Sequence, residues 1–352
     1  MNFNFIRDKN VGQSTHTIYM QKTGFNLAII DELDTLILDL ISNKITLKQA
    51  NLVLNNLEKS ISKVYGRCLT ALGYAMAGFG FAGFLRCTLI DLILSALLSV
   101  FVYVVLSVLK KYSNGYGVPF LCSFFVGVVS TLISILLPNI NIYLISLSAL
   151  IYLIPGFVIS SGIIEISYKY VLSGIINIVN GIVQLIVIFF GVYLGFSIVN
   201  YVYPIQLISG GSISQYWVWP LALVMSCGLS IIFQVPKKYF SWSIISIFFI
   251  CLGMLVGRLI GGINVGNLVG SVIAVIFANY WSNKYNHAAS ILLIPSVVFL
   301  VSGSIGFRGF VALSSHNIHL GVNDLMQMFI VAITIAIGLS IGSSLYKPKI
   351  SL

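Results

Sequence analysis

The chain has 352 residues, 58% of them hydrophobic and only 8% charged, with a mean hydropathy of +1.02. Soluble domains carry about 25% charged residues, so this composition excludes a soluble globular protein and describes a polytopic membrane protein. The formal net charge is +10, yet the basic residues are scattered one or two at a time, which argues for membrane orientation and against a nucleic-acid partner.

Residues 1–26 are polar and lack the apolar core of about 7–15 residues that a cleavable signal peptide needs, so the first span is expected to direct insertion. Over 27–41, Leu33, Leu36, Ile37, Leu40 and Ile41 fall on one helical stripe opposite Asp31, Glu32 and Asp34, the pattern of an acidic amphipathic helix. Thr46 and Gln49 have capping-box spacing and open a second helix through Ala50, Leu54 and Leu57. Residues 1–67 are thus expected to form a short cytoplasmic N-terminal helical region.

Windows of about 20 apolar residues, the length that crosses a hydrocarbon core, then recur ten times. They lie near 68–84, 89–109, 117–137, 142–164, 171–199, 216–234, 239–257, 264–282, 288–307 and 323–346. The predicted fold is an all-α membrane protein of ten transmembrane helices. With the N-terminus inside, the inner flanks hold Lys59, Lys63, Arg67, Lys110, Lys111, Lys169, Lys237, Lys238, Lys284, Lys347 and Lys349, and the outer side holds only Arg86, Arg258 and Arg308. That asymmetry predicts both termini in the cytoplasm and a multi-pass protein of the plasma (inner) membrane. Dividing the spans at the uncharged stretch 200–215 gives five-helix units at 68–199 and 200–352. An odd number of spans per unit makes the second enter the membrane inverted.

Each unit has an interrupted span. Leu153-Ile154-Pro155-Gly156 leads to Ser160-Ser161-Gly162, and Leu293-Ile294-Pro295-Ser296 leads to Ser302-Gly303-Ser304. Proline removes a backbone donor and glycine loosens a helix, so breaks in corresponding spans point to a transporter's substrate site. Half-helix N-termini there would cradle a carboxylate, assisted by the hydroxyls of Ser160, Ser161, Ser302 and Ser304. Ser173, Asn177, Asn180 and Gln184 share a face of the fifth span, and Asn323, Gln327, Thr334 and Gly338 share one of the tenth, so both faces should turn into the bundle. Ser123, Gly127, Thr131 and Ser134, with Gly266 and Gly270, read as close helix contacts.

After Glu58 the only acids are Asp91, Glu165 and Asp324. A carboxylate retained among spans is a functional candidate. Glu165 follows the first break and is expected to bind a substrate ammonium group or carry a proton; pairing with Lys169 is the structural alternative. Asp91 is a second proton-coupling candidate, although it and Asp324 fall near span ends, where an acid suits a helix N-terminus. Arg308 follows the second break and is placed to attract a carboxylate or to snorkel.

The five cysteines have no C-x-x-C spacing, and His316 and His319 form no metal set with an acid or thiol nearby. Nucleophile-elbow and phosphate-loop motifs are missing from the sequence, so neither hydrolysis nor ATP-driven transport is indicated and no cofactor is expected.

At these motifs the chain resembles the threonine/serine exporter (ThrE) family. The family's first-unit pattern is met by Ile154-Pro155-Gly156, Ser160-Ser161, Ile164-Glu165 and Ser173-Gly174-Ile175, and its second by Ile294-Pro295-Ser296, Ser302-Gly303 and Phe307-Arg308-Gly309. The similarity runs over residues 24–347. Ile164 stands in place of an arginine, Tyr170 in place of a frequent second acid, and Ser296 in place of a glycine. The resemblance implies a proton-coupled secondary exporter of small hydroxy amino acids working by alternating access. Its partners would be the amino acid, protons and lipid, and a homo-oligomer is compatible with it. Export of a dicarboxylate is the same-class alternative, and a gated channel or membrane scaffold the different-class one.

Overall fold

The computed structural model describes residues 2–5, 14–17, 26–59, 64–109, 115–205, 212–300 and 303–347. Ser302 and the basic residues Lys63, Lys110, Lys111 and Lys349 lie outside them. The described chain is helical except for strands β1 (Asn2–Phe5) and β2 (Ser14–Thr17), which pair antiparallel with Asn2 opposite Thr17. Nothing in the polar composition of that stretch announced a strand pair.

Two short helices come next, α1 (Leu27–Ile41) and α2 (Leu47–Lys59). Asn26 caps α1 by accepting from the Ala28 N–H, and Thr46 and Gln49 form the expected capping box. The sequence reading left open which face of α1 docks, and the buried face settles it. It consists of Leu27, Ala28, Asp31 and Asp34, while Ile37 and Ile41 are 39% and 73% exposed. Asp31 and Asp34 dock while Glu32 is exposed, because Lys238 and the His287 imidazole await Asp31 on the bundle. Asp31 forms ion pairs with Lys238 at 2.9 Å and His287 at 2.8 Å, and the Leu27 N–H donates to the Phe233 carbonyl.

The membrane bundle comprises α3 (Arg67–Phe84), α4 (Leu89–Leu109), α5 (Gly117–Leu136), α6 (Ile142–Ala149), α7 (Gly156–Ser167), α8 (Val171–Val202), α9 (Val218–Ile232), α10 (Phe240–Tyr285), α11 (Ser290–Phe299), α12 (Gly303–Ser314) and α13 (Ile318–Leu345). Among the described residues seven helices are long and apolar enough to cross a membrane, or eight if the bent pair α6 and α7 counts as one. Outward-facing residues such as Leu97, Val104, Ile186 and Ile337 remain exposed, as a surface meeting acyl chains requires.

At 46 residues α10 would run to about 69 Å, more than twice a hydrocarbon core of about 30 Å. It does not run straight. Gly261 and Gly262 leave helical geometry, Gly262 at φ +80°, where only glycine is comfortable. The two arms then fold back on each other, Gly257 against Gly266 and Gly253 beside Gly270. Helices α3 and α9 are also antiparallel and meet at glycines: Gly73 faces Ile231, Gly80 the Met225 backbone, and Gly228 the Ala77 backbone. Without hydrophobic drive between helices in lipid, such backbone approach supplies the dispersion contact that holds them.

One contact pattern occurs twice. Gly162 of α7 and Gly174 of α8 each abut the other's carbonyl, as do Gly309 of α12 and Gly321 of α13. Ser123 of α5 packs on Gly191 of α8, and Ser271 of α10 packs on Gly338 of α13.

Candidate functional site

Helix α6 stops at Ala149. A single 3-10 turn over Ile151–Leu153 follows, Ile154 is extended, and Pro155 begins α7 at an angle of 62° to α6. Proline cannot donate, so the turn leaves carbonyls without helical partners. The Leu153 carbonyl is satisfied by the Gln184 amide of α8 at 2.6 Å. A polar residue expected to line the path thus also fastens the break.

In the second half the interruption is displaced from its expected position. Pro295 lies inside α11 and is fully packed, and the helix continues to Phe299 before α12 opens at Gly303. Because Pro295 falls in the second turn of a short helix, its missing N–H removes one bond and the helix tolerates it. Ser296 donates to the Leu292 carbonyl and pairs with Ser246 at 3.2 Å.

The two starts meet. The vacant side-chain position of Gly303 is filled by Ile154 and by the backbone of Gly156, so the N-termini of α7 and α12 abut with no room for a methyl group. Ser160 and Ser304, 1% and 6% exposed, sit within the opening turns of these helices. The Ser161 hydroxyl donates to its own helix, at the Val158 carbonyl. Four helix ends converge here: two N-termini bearing partial positive charge and, from α6 and α11, two C-termini bearing partial negative charge.

Glu165 is half-buried in the last turn of α7. Its carboxylate accepts two bonds from the Asn177 amide of α8, at 2.9 and 3.0 Å, and forms no ion pair with Lys169 among the described residues. Nine residues separate Glu165 from Gly156, about 13 Å along a helix. Asn180 accepts from the Tyr116 hydroxyl at the start of α5, and Gln327 of α13 donates to Asn264 of α10. Tyr116 and Asn264 escaped sequence reasoning because each begins a span and belongs to no polar stripe. Arg308 is exposed on α12 without an ion pair among the described residues. Asp91 is 1% exposed and forms a capping box with Thr88 while accepting from the Asn141 N–H, so its oxygens hold α4 to the turn before α6.

Beyond Gly303 along α12, Phe307 and Phe310 pack on Phe189 of α8, which stacks on Tyr193. Tyr193 also lines an open cavity of about 430 Å³, with Tyr143, Phe196, Asn200 and Ser314 among others. No spacing signal in the sequence marked these rings, since aromatics are common in every span.

Two family models cover most of the chain. The one described as "Putative threonine/serine exporter" matches residues 1–199, and the one described as "Threonine/Serine exporter, ThrE" matches residues 219–345. No curated protein and no solved structure matches the chain. The first of the two family models alone spans more than half of the sequence, and on that ground the chain belongs to the threonine/serine exporter family, a family of membrane transporters.

Proposed function

We propose that this protein exports threonine or serine across the plasma (inner) membrane by proton-coupled alternating access between two inverted five-helix units. Counting α3 as a span, dividing α10 at Gly261-Gly262, and taking α6/α7 and α11/α12 as one broken span each gives ten. The twice-occurring glycine contacts support the repeat. Lys169, Lys237, Lys238, Lys284 and Lys347 cluster at the end where α1 docks, and Arg86, Arg258 and Arg308 at the other, which supports cytoplasmic termini.

The observation that carries the reading is the meeting of Gly156 and Gly303. A zwitterion suits that junction once the two helix starts part: its carboxylate then faces the N-termini of α7 and α12, with Ser160 and Ser304 at hand, and its ammonium group faces the C-terminal ends of α6 and α11. Glu165 takes the proton role and not the ammonium role. A carboxylate about 13 Å from the helix start cannot reach the amine of an amino acid held there. Asn177 positions Glu165, Gln184 steadies the break, and Asp91 is assigned to anchoring. The packed rings of Phe189, Phe307 and Phe310 are the outer gate in this reading.

The test is counterflow in proteoliposomes with threonine, serine and succinate in parallel. Labelled threonine or serine is expected to exchange against its unlabelled form without net flux, as a carrier requires and a channel does not allow. Exchange of succinate alone would instead identify a dicarboxylate carrier, and no exchange of any substrate would reject the carrier reading.

A further inference from the structure

We propose that Asp324 is the outward counterpart of Glu165, a second carboxylate that takes up the coupling proton from the opposite side of the membrane; this rests on the exporter reading above. Adding 147 to the residue number carries Gly162, Ile166, Gly174 and Ile178 onto Gly309, Leu313, Gly321 and Leu325. The contacts follow. Gly162 abuts Gly174 and Ile178 as Gly309 abuts Gly321 and Leu325, and Gly174 abuts Ile166 as Gly321 abuts Leu313. The same shift carries Asn180 onto Gln327, and each of these amides is bonded to the start of the neighbouring helix, through Tyr116 and Asn264.

In that register Glu165 corresponds to Ala312 and Asn177 to Asp324. Helix pair α7 and α8 places its acid on the half-helix and an amide on the long helix. Helix pair α12 and α13 places its acid on the long helix opposite a methyl group. Each pair therefore keeps one carboxylate at an equivalent station.

A capping role for Asp324 is closed off by where α13 begins. The helix opens at Ile318, six residues before Asp324, and Asn317 already caps it by accepting from the Leu320 N–H. Asp324 thus lies in the second turn, beyond the free N–H groups that an acid at a helix start would satisfy. It is half-buried and makes no ion pair among the described residues. The other charged or titratable groups at this end of the packed helices are Arg308 on α12, Arg258 near the tip of the α10 hairpin, and His316 and His319 at the start of α13. The step is proton transfer alone: an O–H bond forms on Asp324 on uptake from outside water and breaks when, later in the cycle, the proton passes on toward the inner side that Glu165 serves, with no change of oxidation state.

The experiment uses the full chain in proteoliposomes and compares pH-gradient-driven threonine flux with threonine counterflow, taking their ratio. Asp324→Asn is expected to lower that ratio by about tenfold or more, as removal of an intramembrane proton site should. Adding Ala312→Glu to that variant, which returns the acid to the position Glu165 holds in the other pair, is expected to restore most of it. An unchanged ratio in Asp324→Asn overturns the inference. A second readout needs no transport: with the five native cysteines replaced, Asp324→Cys should react with a membrane-impermeant thiol reagent only from outside and Glu165→Cys only from inside. Labelling of both from one side overturns it as well. Wild type that exchanges none of the substrates rejects the exporter reading instead, whereas wild-type exchange with an unaltered Asp324→Asn ratio rejects this inference alone.

Discussion

Gln184 shows how much one side chain does at a broken helix. Its amide closes the single carbonyl, Leu153, that sits at the bend, across from a proline with no donor of its own. Replacing Gln184 by Leu keeps the volume and removes the donor, leaving a buried acceptor unmet at about 1–3 kcal/mol. The expected outcome is a lower Tm of the purified protein together with weaker substrate exchange, read by thermal unfolding and counterflow on the same preparation. The sequence exposed Gln184 through its four-three-four spacing with Ser173, Asn177 and Asn180. It could not say which carbonyl the amide would meet, because that depends on where α6 ends. Glu165 was legible for the same reason that its partner was not: an isolated acid in an apolar span is conspicuous, but Asn177 and Lys169 both lie within plausible reach and only packing separates them.

At the scale of single elements, α1 shows that an amphipathic pattern does not by itself say which face docks. Its leucines and isoleucines form a stripe opposite the acids, and it is Asp31 and Asp34 that face the bundle. The hydrophobic pattern is a guide to burial only when the receiving surface is apolar, and here the Lys238 ammonium and the His287 imidazole make it polar. Burial raises the carboxyl pKa of Asp34 above its ordinary 3.8, with the Ala288 N–H and His287 pulling the other way. A group whose docked-state pKa is raised favours docking most below its free value and loses that contribution as pH rises through the raised one. Docking of α1 is therefore expected to weaken with rising pH above 3.8. Asp34→Asn should remove that dependence, whereas Asp31→Ala should loosen α1 throughout, because Lys238 and His287 lose their partner. Hydrogen exchange over residues 27–41 as a function of pH checks both. Pro295 offers the same lesson in the membrane. A proline flags a break, but here the helix absorbs it in its second turn and runs four residues further, to Phe299, before α12 opens at Gly303. Only the one bond to the Ile291 carbonyl is lost, which a short helix packed on its neighbours tolerates.

For the molecule as a whole, hydropathy located apolar helices, seven or eight of which among the described residues are long enough to cross a membrane, since the bilayer's thickness dictates segment length more strictly than a soluble core does. What hydropathy could not reveal was pairing: that α3 lies against α9 and that Gly162 recognises Gly174 are matters of shape at glycines. The reversal in α10 is the point on which the ten-span count turns. A cysteine introduced at Gly261, in a background without native cysteines, is expected to react with an impermeant thiol reagent from outside, and one introduced at Lys284 only from inside. Protection of residue 261 from both sides would return α10 to a single continuous span.

Helix α1 grips two places at once, the turn between α9 and α10 through Phe233 and Lys238, and the segment entering α11 through His287. Helix α11 leads into the hinge at Gly303, while α9 is locked along α3 by interleaved glycines. Any swing of α11 relative to α9 must then either shear that grip or drag the amino-terminal hairpin with it. In the proposed alternating-access cycle the hairpin would act as a clutch between a fixed wall and a swinging one, so that loosening it would change how freely the cycle turns over.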